Sequence, residues 1–363
     1  MELGIIGLAR SGKSSLFNAV TRGAATIGEY TSATAPNVGT VRVPDPRVNK
    51  LADIFQTKKT TFAEIRWIDY PVSGFGPDGP GAHFVAELAQ LDAVVHVVRA
   101  FEDPAIPHVS GGIDPTRDFE ALELELQFVD LALIERRIER LSAEMRSIRV
   151  AERVELEKQL DLMQRMQKHI EAGEGLRSFD ADANEEKTLR NYSFVTRLPQ
   201  LLVVNIGEDR LSEVDVIELT FAERHGKGPV AVAALSAKVE AELAMMNQDE
   251  VEEFRVDLGL SAVSPLDRVI GFAYDLLGLH SFLTAGADEC RAWPVTQGAT
   301  ASEAAGKIHT DLERGFIRAE VAGYEDLVAA GSMSELKKRG QLRTEGKAYV
   351  VKDGDVLNIL FNV

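Results

Sequence analysis

The sequence predicts an α/β protein: a mainly parallel sheet, an α-helical hairpin inserted into it, and a small mixed α and β domain at the carboxyl end. Three observations lead there. Leu3 to Ile6, Phe62 to Ile68, Ala93 to Val98, Leu201 to Val204 and Val230 to Ala234 are apolar runs of strand length, several with helical patterns between them. This is the arrangement of buried parallel strands covered on both faces. Leu122 to Ile170 is free of Gly and Pro and rich in Glu, Arg, Leu and Gln, which favours long helix. Beyond Gly278 and the Thr284-Ala285-Gly286 stretch, short strand-like runs are separated by Gly-containing turns.

Taken in order, Leu3 to Ile6 reads as a strand that enters a glycine-bounded loop before a helix led by Leu16, Phe17 and Val20. Leu126, Val129, Leu133, Ile138 and Leu141 form one apolar stripe, and Leu156, Leu160, Met163 and Met166 form a second. The spacing predicts two antiparallel helices packed on each other, turning near Ser147 to Glu152 and ending at Gly173 and Gly175. Leu266 to Leu277 reads as helix, and the tail Ala348 to Leu357 as two strands joined by an Asp-Gly turn. The expected domains are a discontinuous nucleotide-binding domain over 1–120 and 197–278, the hairpin over 121–196, and a carboxyl-terminal domain over 279–363.

Composition narrows the function. With 363 residues a peptide-sized or disulfide-stapled fold is excluded. Forty Lys and Arg against fifty-seven Asp and Glu give a formal charge of -17, which argues against indiscriminate nucleic-acid binding but leaves room for a local basic face. Cys290 is the only cysteine, so neither an intramolecular disulfide nor a zinc cage of several thiolates can form, and a reducing, cytoplasmic setting is expected. Cys290 itself reads as a small buried residue, with redox sensing as the competing role. No long apolar stretch suggests secretion or a membrane span.

Gly7-Leu8-Ala9-Arg10-Ser11-Gly12-Lys13-Ser14 satisfies G-x-x-x-x-G-K-[ST] and stands between the predicted strand and helix. Glycines let the backbone curl with its amides toward phosphate oxygens, and the helix that follows adds unpaired N–H groups and partial positive charge. Gly7, Arg10, Ser11, Gly12, Lys13, Ser14 and Ser15 are therefore assigned to nucleotide binding, with Lys13 neutralising the β and γ phosphates and Ser14 offering its hydroxyl to Mg²⁺. Asp69, after Trp67-Ile68, is the candidate metal-side carboxylate, unless it merely begins a turn before Pro71. Asn205, Ile206 and Glu208 follow another strand and occupy the base end of the expected pocket, joined there by Ser236 and Ala237.

Guanine is usually read by an Asn-Lys-x-Asp element, and Asn205-Ile206-Gly207-Glu208 has neither that Lys nor that Asp. Adenine instead offers an amine donor and a ring acceptor, which a backbone amide and carbonyl near Ile206 can satisfy while Asn205 fixes the loop. ATP is therefore expected over GTP.

These residues, together with Ala35-Pro36-Asn37, Pro44-Asp45-Pro46-Arg47 and His96-Val97-Val98-Arg99-Ala100-Phe101, resemble the YchF-type Obg-like ATPases. The longest shared stretch is Arg291-Ala292-Trp293, Gly298-Ala299-Thr300, Ala304 to Asp311 and Gly315 to Glu320. The resemblance implies a P-loop NTPase with a carboxyl-terminal ubiquitin-like TGS domain, slow ATP hydrolysis with Mg²⁺, and association with ribosomes. It also implies Thr34 as the switch threonine that reaches Mg²⁺, Ile206 as the adenine-contacting position and His108 as the histidine acting on water. His83 competes for that last role. In the family the metal-side Asp is followed by two residues and a Gly whose amide senses the γ-phosphate; here Val72 takes that place and Pro71 removes a backbone donor, so the switch is expected to be blunted. Two alternatives stay open: a GTPase proper, or a nucleotide-gated adaptor with little hydrolysis.

Arg136, Arg137, Arg140, Arg146, Arg149 and Arg153 on the hairpin are a candidate RNA or ribosomal surface, although Glu135, Glu139, Glu144 and Glu152 interleave with them as on a solvated face. Lys307, His309, Arg314, Arg318, Lys337, Lys338, Arg339 and Arg343 form a denser basic set in the tail domain, suited to RNA or protein. A monomer is expected.

Overall fold

The computed structural model describes residues 1–23, 36–70, 75–76, 79–108, 111–147, 153–257 and 264–362. Strand β1 (Glu2–Ile6) leads through the loop at 7–12 into α1 (Lys13–Thr21), followed by β2 (Asn37–Arg42), α2 (Pro46–Phe55), β3 (Thr60–Thr61) and β4 (Glu64–Asp69). A small hairpin of β5 (Phe75–Gly76) and β6 (Gly79–Pro80) precedes α3 (Ala82–Leu88) and β7 (Ala93–Ala100). Then come the long helices α4 (Pro115–Ser147) and α5 (Val154–Glu171), α6 (Ala183–Leu189), β8 (Gln200–Ile206), α7 (Val214–His225) and β9 (Val230–Leu235). Helices α8 (Ala237–Leu243), α9 (Gln248–Asp257) and α10 (Pro265–Leu276) follow, then β10 (Leu279–Ala285), β11 (Cys290–Thr296), α11 (Ala301–Ile308) and α12 (Thr310–Arg314). The chain closes with β12 (Phe316–Gly323), α13 (Tyr324–Ala330), α14 (Met333–Lys338), β13 (Arg343–Glu345) and β14 (Asp355–Phe361). Two compact units result: Met1–Gly39 with Arg66–Val269, and Thr40–Ile65 with Ile270–Val363.

In the first unit the sheet runs β2-β4-β1-β7-β8-β9. β1 is parallel to β4 and β7, β7 to β8, and β8 to β9. Every residue of β7 and β8 is buried, which explains why these strands read as continuous apolar runs rather than alternating ones. The register pairs Ile5 with Asp69, Arg99 with Asn205, and Asn205 with Leu235. The carboxyl ends of the parallel strands, where open α/β sheets bind ligands, therefore gather Asp69, Asn205 and the loop after β1 at one edge.

Helix α4 begins at Pro115, earlier than composition indicated, because Asp114 accepts from the Arg117 amide at 3.0 Å and Pro115 has the preset φ of a first helical residue. Its apolar stripe serves two partners. Leu122 and Leu126 pack with Ile6 and Val94 of the sheet and Leu88 of α3, whereas Ile134 and Leu141 pack with Leu162, Met163 and Met166 of α5. Asp130, fully buried, ties the helix to the returning chain: it accepts from the amides of Val195 and Thr196 at 2.9 and 2.8 Å and from the Thr196 hydroxyl at 2.6 Å. Beyond α5, Gly173 adopts φ +84°, as a helix-ending glycine does. The expected turn falls, from residue 148 onward, outside the described residues.

The second unit carries the sheet β13-β12-β14-β10-β11-β3. Helix α11, capped reciprocally by Thr300 and Glu303, packs Ala304 and Ala305 against Phe282, Val295, Phe316 and Leu357. Within this unit Arg47 bridges Asp45 at 2.9 Å and Asp353 at 2.8 Å. Two expectations need correction. Thr284 and Ala285 are strand residues of β10 rather than a boundary, and Gly278, with φ +63°, stands just before that strand. The tail forms one strand rather than a hairpin, because Asp355 accepts from the Tyr349 hydroxyl at 2.7 Å and the Lys352 amide at 2.9 Å, closing residues 349–355 through side chains while β14 pairs with β12. Cys290 is fully buried. Among the described residues no helix is long and apolar enough to cross a membrane.

Candidate nucleotide site

The loop after β1 requires its glycines. Gly7 has φ +148° and a Cβ there would lie 2.3 Å from the Val97 carbonyl oxygen; Gly12 has φ +96° and a Cβ there would lie 2.1 Å from Asn205 Nδ2. Arg10 also takes a left-handed φ of +66°, and its Nη1 donates to the Pro107 carbonyl at 3.0 Å. Lys13 is buried and its Nζ donates to the carbonyls of Gly7 and Leu8 at 2.8 and 2.9 Å. Burial pulls its pKa down to about 8, against the attraction of Asp69. Ser11 is buried with a hydroxyl that has no partner, while Ser14 and Ser15 are exposed at the start of α1, whose first turn has no side-chain cap. A buried hydroxyl without a partner, a buried cation and a helix amino terminus make an anion cradle.

Asn205 locks this loop from below. Its Nδ2 donates to the Ser11 carbonyl and its Oδ1 accepts from the Ala237 amide, both at 2.9 Å. Ser236 is the buried N-cap of α8, its hydroxyl accepting from the Val239 amide. The Ile206 side chain is packed into the core with Val98, Phe119 and Leu202, at the end of β8 where it pairs with Ala100. Glu208 is exposed and its carboxylate holds Lys238 at 2.7 Å.

The residues present fit a metal ion carried in with a nucleotide. Ser14 Oγ donates to Asp69 Oδ2 at 2.8 Å. Asp69 Oδ1 is buried and makes no hydrogen bond of normal geometry, although the Asn37 side chain lies near enough to favour the charged form. Burial raises the Asp69 pKa, outweighing the opposing pull of Ser14, Lys13 and Asn37, and a cation would relieve that cost. No cluster of three or more His, Cys, Asp or Glu able to hold a metal occurs among the described residues, so phosphate and water oxygens would complete the coordination. Thr34, Pro71 and Val72 lie outside the described residues.

His108 and Asp118 share a narrow crevice with Leu8, Ser11 and Arg99, beside the loop. His108 Nε2 and Asp118 Oδ2 lie 2.7 Å apart, and Arg117 holds the other Asp118 oxygen at 2.8 Å. His83 points elsewhere: its side chain is 90 % exposed and 3.5 Å from Glu87. Asp118 escaped the sequence reading because the start of α4 was placed too late, although Asp114-Pro115 is the pattern that marks it. On the hairpin, Arg136, Arg140 and Arg146 are exposed, whereas Arg137 donates to Gln159 at 3.0 Å between the two helices. In the tail domain Arg314, Lys338, Arg339 and Arg343 are ion-paired within it, and Lys307, Arg318 and Lys337 form no ion pair among the described residues.

A strand, a glycine-bounded loop and a helix at the carboxyl edge of a parallel sheet, with a buried lysine and an asparagine bracing that loop, define a P-loop nucleotide-binding protein. The chain belongs to the YchF family. It is 39 % identical to the "Ribosome-binding ATPase YchF" of Bacillus subtilis (strain 168), covering 100 % of both chains, and 38 % identical to the protein of the same name in Escherichia coli O157:H7, covering 100 % of this chain and 99 % of that one. Residues 279–362 match the family model YchF-GTPase_C, described as a protein of unknown function. The solved structure of the Schizosaccharomyces pombe YchF GTPase superposes with a TM-score of 0.85 at 27 % identity, over 99 % of this chain and 97 % of that one.

Proposed function

We propose that the protein binds ATP, and GTP more weakly, with Mg²⁺, hydrolyses it slowly, and uses the bound nucleotide as a switch in ribosome association. The phosphate loop carries this reading, above all the placement of Lys13 beside Gly7, Leu8 and Asp69. Phosphate oxygens would replace the two loop carbonyls as partners of Nζ, and the loop amides would orient the chain of phosphates. When bound, Mg²⁺ would supply positive charge against the negative charge that develops on transfer. Ser14, Asp69 and Thr34 are the residues assigned to hold it.

His108 is assigned to orient the attacking water, with Asp118 fixing its ring. The adenine preference rests on Ile206 standing in place of Lys and on a Glu208 already engaged by Lys238. The hairpin, through Arg136, Arg140 and Arg146, and the tail domain, read as TGS-like, through Lys307, Arg318 and Lys337, are the surfaces assigned to RNA or ribosomal protein. The names of the bacterial relatives support the ribosome as that partner.

Side-by-side titration of ATP and GTP, with Lys13→Ala as control, tests the core of this reading. ATP is expected to bind about tenfold tighter, or roughly 1.4 kcal/mol, and a preference for GTP would overturn the base assignment. Cosedimentation with ribosomes in ATP analogue, ADP or no nucleotide tests the switch, which identical pelleting in all three would refute.

A further inference from the structure

The phosphate loop uses the carboxyl edge of the parallel sheet; the opposite edge, where β8 begins at Gln200 and β9 at Val230, opens into a cleft of about 500 Å³. Its walls come from α4, the segment following α5 and the end of α7. Three carboxylates lie there, and each already holds a base. Glu123 accepts from Arg177 Nη1 at 2.6 Å and from Gln200 Nε2 at 2.6 Å. Glu120 pairs with Arg224 at 2.9 Å, and Glu174 with Lys227 at 3.1 Å. Burial alone would raise the Glu123 pKa, yet Arg177 and His96 hold it down at about 2, so this acid is spent on its partners.

The donors are not all used. Arg177 gives Nε to the Leu198 carbonyl at 2.7 Å and Nη1 to Glu123, which accounts for its structural duty in pinning the base of the hairpin. Its Nη2 is buried and has no partner. His225 Nε2 is likewise buried and unpartnered. Burial lowers the His225 pKa and keeps the ring neutral at pH 7, so one tautomer presents an N–H. Leaving such donors unpaired is costly, and both belong to residues that line this one cleft. Apolar surface lies beside them: the Phe119 ring packs 4.4 Å from the His225 ring, and Leu124 is half exposed at the rim.

We propose that this cleft is a second ligand site, separate from the phosphate loop, for a small organic anion. The acid group, carboxylate or phosphate, bonds Arg177, His225 and Lys227, and the apolar body lies on Phe119 and Leu124. An acid on an apolar body matches the usual ligand pocket, largely apolar with a few polar groups that fix orientation.

Titration of the full-length chain, labelled in its histidine rings and followed by NMR, tests this with three probes: phenylacetate, phenyl phosphate and the neutral benzyl alcohol. At least one anion should shift the His225 ring saturably below about 5 mM, with benzyl alcohol at least about tenfold weaker. Which anion binds tighter identifies the acid. Lys227→Glu, at an exposed position, should weaken the anion about tenfold while the circular dichroism spectrum is kept. Lys13→Ala should leave the His225 response unchanged, which separates this site from the phosphate loop. Arg177→Met is less informative alone, because it strands the buried Glu123. Absence of a saturable His225 shift with either anion up to about 20 mM, or equal affinity in Lys227→Glu, would overturn the proposal.

Discussion

Ser14 and Asp69 are 55 positions apart in sequence, and the hydroxyl of one donates to the carboxylate of the other at 2.8 Å. The parallel pairing of β1 with β4 makes this possible, since it brings the end of β4 level with the loop. Asp69→Asn and Ser14→Ala should each weaken Mg²⁺-dependent nucleotide binding by about ten- to a hundredfold, comparable to losing a group that orients a metal ligand. Binding measured in EDTA should change by less than about threefold. Comparing affinities with and without Mg²⁺ provides the check, and a loss equal in both conditions would assign the pair to loop structure alone.

Lys13 titrates at about 8 without a ligand, because burial disfavours its charged form. Phosphate nearby favours that form, so the bound state holds the proton to higher pH than the free state does. Between these two values binding takes up protons, and affinity falls as pH rises through 8, by at most about tenfold per pH unit. Calorimetry at pH 7 and 9 in buffers of different ionisation enthalpy should report uptake near zero at pH 7, rising toward one proton at pH 9. The uptake should vanish in Lys13→Met.

Removing the Asn205 side chain breaks two hydrogen bonds at once, to Ser11 and to Ala237. Asn205→Ala should therefore cost about 2–3 kcal/mol of nucleotide affinity, or thirtyfold and more, since the loop is no longer held in its binding shape. Thermal denaturation of the ligand-free protein should shift by only a few degrees. A full loss of folding would instead make Asn205 a general core residue.

His108 and His83 are separated by a single-turnover experiment. His108→Ala should lower the hydrolysis rate about ten- to a hundredfold with nucleotide affinity within about twofold, and Asp118→Asn should lie between it and the parent. His83→Ala should be indistinguishable from the parent, given that its side chain is 90 % exposed and beside Glu87. A slow His83→Ala variant would reverse the assignment.

What the sequence made legible was chiefly local. The phosphate loop is a contiguous motif whose glycines answer to nearby backbone geometry, and β7 and β8 announced themselves because burial on both faces leaves no polar alternation. Asn205 was legible as the residue after a strand, though its hold on both Ser11 and Ala237 depends on pairings that no local pattern encodes. The grouping of Thr40–Ile65 with Ile270–Val363 is of the same kind: β3 pairs with β11, some 230 residues away, through short stretches with no distinctive composition. The tail misled because an Asp-Gly turn between apolar residues describes a hairpin locally, whereas Asp355 satisfies the loop through Tyr349 and Lys352 and leaves the strand to β12. His108 was singled out by resemblance, while Asp118 became visible only once helix α4 was in place.

Helix α4 has one more consequence. Asp118, which steadies His108, and Glu123, which grips Arg177, are five residues apart on it, about 7.5 Å along the axis. One unbroken helix therefore carries a residue of the crevice beside the phosphate loop and a residue of the cleft where β8 and β9 begin. The same unbroken helix runs on to Ser147 and carries Ile134 and Leu141 against α5, so the hairpin, the crevice and the cleft share one element of secondary structure.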